Sequence, residues 1–176
     1  TPAAKDWNFI NTNGLNGSVF SYCQFLYGGN GSSGYTLTIQ AGSNATVTNC
    51  TFAHNDGSDP SGDYGTLDAS GASSGTVIAD NVFYDNVRPL SISVFYDIDN
   101  SNRFHNPNDV AETNTFNAIT IGSTDNITTN ISWGETEVPF VIDDNDLWVN
   151  AGYRLTLANN VVLKFMPGST MVLDDG

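Results

Sequence analysis

The chain alternates short bursts of apolar and polar residues with turns rich in Gly and Asn. Four of these bursts superimpose when their final phenylalanines are aligned, and the phenylalanines lie roughly 27 to 33 residues apart. Such a spacing is typical of one coil of a β-solenoid with variable corner loops. The four bursts are residues 20–25, 47–52, 78–83 and 111–116.

The alternation predicts which side chains face inward, because a strand sends every second residue to the same face. The final phenylalanines should stack as an internal ladder, with a second column of residues two positions before them. The positions in between are mostly polar, as an outer face should be. The predicted core ladder consists of Phe25, Phe52, Phe83 and Phe116, preceded by Cys23, Cys50, Asn81 and Asn114.

A second strand follows each burst after a corner rich in Gly or Asn, and these strands carry Leu37, Leu67, Leu90 and Ile119. Such corners reach positive φ at little cost. Buried Asn81 and Asn114 are expected to bond to each other and to corner carbonyls. A β-sandwich would need two-residue turns and antiparallel register, and the sequence shows neither.

The predicted fold class is therefore all-β, a parallel β-helix (β-solenoid) of few coils with variable corner loops. Residues 1–176 are predicted to form a single module, and residues 97–109 are predicted to be a long loop inserted into the coil.

Three blocks of the chain carry a family resemblance. The first block is residues 2–7 together with 22–23 and 27–29, and the second is the set of Asn-Cys-Thr-Phe type bursts. The third block is residues 138–142, which continues into 155–157, 161–165, Gly168 and 171–173. In these blocks the chain resembles the right-handed β-helix repeat segments of large secreted or cell-surface bacterial and archaeal proteins. The resemblance implies a right-handed coil, an extracellular or cell-surface location, and a structural, non-catalytic role.

The two outer blocks stand at the beginning and the end of this chain, which predicts one unit of a longer array. The terminal coils of a solenoid expose unpaired backbone groups that can template further strands. Residues 7–10 and 170–173 are predicted to be strands near the two ends, and no capping helix is predicted. We therefore expect self-association or contact with neighbouring solenoid modules, stacked end to end as in a fibre.

The charge balance is strongly acidic, with 19 Asp and Glu against 5 Lys and Arg and a net charge of −14. Nucleic-acid binding needs clustered basic residues, and the five here are scattered, so nucleic acid is excluded as a partner. No apolar run has the length of a membrane span, which predicts no membrane insertion. An acidic surface suits a protein that stays soluble outside the cell.

Cys23 and Cys50 fall at the same ladder position of adjacent coils. Neighbouring strands lie about 4.8 Å apart, within disulfide range, but both Cβ atoms then point the same way. Buried free thiols and a disulfide both remain open.

Acidic loops make calcium a candidate cofactor, and the densest group of acids is Asp143, Asp144 and Asp146. Calcium takes six to eight oxygen ligands, which such loops can supply. None of the loops matches an EF-hand or the nonapeptide calcium repeat, so solvated surface is the favoured interpretation and no cofactor is predicted.

Polysaccharide lyases and hydrolases use this type of fold, so they are the enzyme alternative. A hydrolase needs paired carboxylates and a lyase needs a basic residue beside acids. The candidates are Asp80, Asp85 and Arg88, whereas His54 and His105 are predicted to be solvated. We expect no enzymatic activity.

A carbohydrate-binding or adhesin module is the other alternative, with polysaccharide as the partner. Such modules present aromatic stripes, and the residues after the ladder phenylalanines form none: Leu26, Ala53, Tyr84 and Asn117. Candidate N-glycosylation sequons, which matter only if the organism glycosylates, occur at Asn16, Asn30, Asn44, Asn49, Asn126 and Asn130.

Overall fold

The computed structural model describes residues 1–31, 34–56, 64–122, 126–143 and 146–174. Within these ranges the chain is all-β, without a helix, and parallel strands stack into a β-solenoid of about six turns. The predicted fold class is confirmed in these respects. In chain order the strands are β1 (Ile10–Asn11), β2 (Ser18–Ser21), β3 (Gln24–Leu26), β4 (Leu37–Thr38), β5 (Ala45–Thr48), β6 (Thr51–Ala53), β7 (Leu67–Ala69), β8 (Val77–Ala79), β9 (Val82–Tyr84), β10 (Leu90–Ile92), β11 (His105–Asn106), β12 (Asp109–Thr113), β13 (Ile119–Ile121), β14 (Ile131–Trp133), β15 (Phe140–Ile142), β16 (Leu147–Val149), β17 (Leu155–Leu157), β18 (Leu163–Phe165) and β19 (Met171–Leu173).

One sheet runs the length of the solenoid and contains seven strands in the order β1-β4-β7-β10-β13-β15-β18. Its register places Leu37, Leu67, Leu90, Ile119 and Phe140 in one column. All five are fully buried. The first four lie in the strands that the sequence predicts after each burst, and the column forms one wall of the core.

Shorter sheets form the other sides. In the first three coils they are β2-β5-β8 and β3-β6-β9, and in the later coils they are β14-β17 and β16-β19. All four are parallel. Among the described strands, only the hairpin of β11 and β12 pairs antiparallel.

The chain turns at both ends of β3, β6 and β9 through residues in the left-handed region. Non-glycine residues adopt this conformation rarely, so its recurrence in successive coils marks a repeated corner. Because the coils stack in register, the side chains at each corner form a column on the outer surface. The pairs that flank the three strands are Tyr22 and Tyr27, Asn49 and His54, and Asp80 and Asp85.

The phenylalanine ladder lies between these corners. The rings of Phe25 and Phe52 stack at 4.6 Å, and those of Phe52 and Phe83 at 5.0 Å, in the predicted order. The fourth ring is Phe104, which stacks on Phe83 at 5.4 Å, and not Phe116 as predicted. Phe116 lies half-buried in a turn instead.

The mistaken fourth position has a structural cause. The fourth coil is shorter than the others, since Asn102 bonds to Asn81 only 21 residues before it. After Phe104 the hairpin of β11 and β12 leaves the coil, and the chain returns at Asn114. Residues 97–109 are therefore not one long loop, because Ile98 pairs with Trp133 and is buried within the coil.

Buried asparagines form two separate ladders rather than the single one predicted. In the first ladder, Asn81 Oδ1 accepts a hydrogen bond from Cys50 N, and Asn81 Nδ2 donates a hydrogen bond to Asn102 Oδ1. In the second ladder, Asn55 Nδ2 donates a hydrogen bond to Asn86 Oδ1 at 3.0 Å, and Asn86 Nδ2 donates one to Asn114 Oδ1 at 2.8 Å. Asn81 and Asn114 thus belong to different columns, and each satisfies the backbone of its own corner.

Cys23 and Cys50 precede Asn81 in the first column, and both are free thiols in the structure. Cys50 is buried, and burial is the main cause that raises the pKa of its thiol. Its Sγ donates to the carbonyls of Phe20 and Thr48.

Candidate functional site

The last described coil leaves inward-facing apolar side chains uncovered. By register, its residues occupy the positions that are buried in the coil beneath. Ile142 is 1% exposed, whereas Phe165 directly above it is 39% exposed, and Leu173 is 70% exposed. We call this surface the open face, and it consists of Leu155, Leu157, Leu163, Phe165, Met171 and Leu173.

The first coil is covered differently. Trp7 packs against the core, and its Nε1 donates to the carbonyl of Leu26 at 2.7 Å. Gly28 leaves room for the indole, because a Cβ there would lie 2.9 Å from Trp7 ring atoms. On the side of the long sheet, however, Ile10 is 40% exposed although it pairs in register with buried Leu37. Both end coils therefore present apolar surface.

The residues considered for catalysis do not share one location. Asp80 and Asp85 are exposed and sit at opposite corners of β9. The guanidinium of Arg88 lies over the Phe116 ring, 4.4 Å from its centre, and Nη1 lies 3.6 Å from Asp143 Oδ2. Arg88 thus packs between a ring and a carboxylate, which suits a structural role.

A histidine and two carboxylates, side chains of the types that can hold a metal ion, meet at the corner that follows β6 and β9. His54 Nδ1 is 2.6 Å from Asp85 Oδ2, so His54 is engaged rather than simply solvated. Glu112, from strand β12 of the hairpin, completes the group, and one ligand atom from each residue lies within 4.8 Å of the other two. We call these three residues the corner triad.

Sequence reasoning missed the corner triad for two reasons. Glu112 was assigned to the regular coil, and only the hairpin brings it over the corner. The sequence also predicts a solvated His54, without a partner. The signal that could have found it is the column of residues two positions after Phe25, Phe52 and Phe83, which holds Tyr27, His54 and Asp85.

Aromatic rings enclose the corner triad on two sides. His54 stacks on Tyr27 with ring centres 5.2 Å apart and meets the edge of Tyr84 at 5.4 Å. Burial, followed by the charges of Glu112, Tyr27 and Asp85, raises the pKa of the Tyr84 hydroxyl. The carboxylates of Glu112 and Asp85 therefore lie close enough to act on the Tyr84 hydroxyl.

The calcium candidates are partly engaged by protein groups. Asp143 pairs with Arg88, and Asp146 Oδ1 accepts from the backbone N and Oγ1 of Thr170. Asp144 lies outside the described residues.

Of the sequon asparagines, Asn44 is half-buried and its Oδ1 accepts from Gly17 N. The others are exposed: Asn16, Asn30, Asn49, Asn126 and Asn130.

Comparison with protein-family models, curated proteins and solved structures finds no match to this chain. Among the described residues, no helix is long and apolar enough to cross a membrane.

A buried carboxylate lies in the later coils. Glu135 is fully buried, and its Oε1 accepts from the backbone N of Thr136 and of Glu137. Its Oε2 has no hydrogen-bond partner among the described residues. Burial, aided by the charges of Glu137 and Asp99, raises the pKa of Glu135 to about 7.

Glu135 should therefore make stability depend on pH. Its native pKa exceeds the unfolded value near 4.5, so the native state binds more protons between about pH 4.5 and 7. Stability should fall as pH rises through this window. We expect Glu135→Gln to keep the Oε1 contacts and to be more stable than wild type by about 2 kcal/mol at pH 8. Urea unfolding from pH 4 to 8 measures this, and a wild-type advantage at pH 8 would contradict it.

Proposed function

We propose that the chain is a structural, non-catalytic β-solenoid module of an extracellular or cell-surface protein, built to stack end to end with further solenoid coils. The right-handed repeat segments of large secreted bacterial and archaeal proteins are the class to which we assign it. The observation that carries the proposal is the open face, where positions that are buried in the preceding coil lie exposed.

The physical argument rests on register. Fully covering a Leu, Met or Phe side chain contributes about 1.5–3 kcal/mol. The open face places several such side chains above buried ones at the spacing of the preceding strands, and among the described strands β18 also forms an unpaired edge of its sheet. The occupant that fits both features is another parallel coil, which pairs with the edge and covers the side chains at once.

Self-association through the open face tests the proposal. We expect the chain to form concentration-dependent oligomers in analytical ultracentrifugation, because association would bury the apolar side chains of that face. Leu173→Glu puts a charge among them, and we expect it to weaken association by at least about tenfold.

Val110→Glu is the matched control, since Val110 is 72% exposed on the hairpin, away from both end coils. It should associate as wild type does. A chain that stays monomeric at millimolar concentration, or one that is equally weakened by both substitutions, would overturn the proposal.

The alternative of a polysaccharide-binding module has one observation in its favour. A cleft beside the long sheet holds Tyr35 and Tyr64, whose rings meet edge to face at 5.9 Å, together with Gln40 and Asp68. Aromatic rings beside polar side chains are typical of sugar-binding surfaces. Retention on insoluble polysaccharide without self-association would favour this alternative.

A further inference from the structure

The corner triad is independent of the open face. It combines side chains of types that bind metals from two corners of successive coils and from the hairpin. His54 follows β6, Asp85 follows β9, and Glu112 projects from β12. Both corner residues have left-handed backbone conformations, with φ of 59° and 48°, which direct successive side chains into one column. The hairpin then places Glu112 beside that column.

Among the described residues, the ion pairs of Lys5 and Arg88 are with carboxylates outside the corner triad. Lys5 Nζ lies 3.2 Å from Asp56 Oδ2 and so pairs with a different carboxylate. Within the described residues, the ion pair of Asp85 is with His54, and Glu112 takes part in none. Glu112 accepts a hydrogen bond from Asn106 Nδ2, which orients its carboxylate within the hairpin. Two carboxylates therefore converge on one imidazole.

We propose that His54, Asp85 and Glu112 bind a divalent transition-metal ion of the Zn²⁺ type. One imidazole nitrogen and two carboxylate oxygens form a donor set that zinc accepts, and two carboxylates neutralise its charge. Three protein ligands leave at least one position for water.

The donor set also distinguishes this site from a calcium site. Calcium prefers six to eight oxygen ligands and binds imidazole nitrogen poorly. The corner triad supplies one nitrogen and a small number of oxygens. Calcium should therefore not compete with zinc here, whatever it does at the acidic loops elsewhere.

Titration of the chelator-treated full chain with ZnCl₂ in a calorimeter tests the proposal. We expect saturable binding of one ion, and absorption bands of a nitrogen- and oxygen-coordinated ion when CoCl₂ replaces zinc. Glu112→Gln and Asp85→Asn should each weaken zinc binding at least about tenfold. Glu112 lies on the hairpin outside the core, so its substitution should leave the circular dichroism spectrum unchanged.

Two controls separate a built site from general attraction to acidic surface. His105→Ala removes a second imidazole that lies 2.6 Å from a carboxylate, that of Glu137, and Asp80→Asn removes an exposed acid at the opposite corner. Both should bind zinc as wild type does. Absence of saturable binding, equal weakening by the controls, or displacement of zinc by millimolar CaCl₂ would overturn the proposal.

Discussion

Phe104→Ala should lower the free energy of unfolding by about 3–5 kcal/mol, because it empties a fully buried position in the phenylalanine ladder. Phe104 is 0% exposed and stacks on Phe83 with ring planes 13° apart. The solenoid coil cannot collapse into the space, since hydrogen bonds between neighbouring coils fix its backbone. Equilibrium unfolding in urea, followed by circular dichroism, measures the loss.

Phe116→Ala is the matched control, because Phe116 is the residue that the repeat spacing predicts in that position. It is half-buried and covered on one face by Arg88, so we expect a loss of only about 1 kcal/mol. The reverse order of the two losses would show that Phe116 belongs to the ladder and would contradict the fourth coil described here.

The ladder shows how far the sequence determines this fold. Alternation within each burst was enough to identify the inward-facing Phe25, Phe52 and Phe83, because strand geometry fixes side-chain direction locally. It also located the strands of the long sheet. Coil length is a different matter, since a solenoid accepts corners of varied length as long as neighbouring strands remain paired.

In the fourth coil, the variable corner length made the prediction from regular spacing wrong. Asn102-Arg103-Phe104 and Asn114-Thr115-Phe116 have the same Asn-x-Phe pattern. The later copy lies at the spacing of the earlier coils, so regular spacing favours it. The structure instead uses the earlier copy for the ladder and Asn114 for the second asparagine column. Only contacts between coils, which the sequence does not display, distinguish the two.

The same ambiguity hid the corner triad. Once residues 111–116 are placed in the coil, Glu112 belongs to a coil strand and His54 has no third partner. Moving the coil to Phe104 releases residues 105–113 as a hairpin, and Glu112 then reaches the corner. A single error of register thus separated three side chains that are all visible in the sequence.

Asn86→Asp should be strongly destabilising at neutral pH, with a loss of about 3 kcal/mol or more. Asn86 is buried, and its Nδ2 donates to Phe52 O at 2.9 Å and to Asn114 Oδ1 at 2.8 Å. A carboxylate cannot donate, so these two oxygens would face a buried negative charge. Urea unfolding at pH 7 measures the loss.

The pH dependence of this variant distinguishes electrostatic cost from simple loss of packing. A carboxyl in that position would have a native pKa above its unfolded value, so the stability lost relative to wild type should shrink as pH falls from 7 toward 4. A protonated carboxyl can also donate one of the lost hydrogen bonds. Asn159→Asp adds the same charge at an exposed position and should change stability by less than about 0.5 kcal/mol. Equal losses in the two variants would mean that the asparagine column does not hold the corners of the coil together.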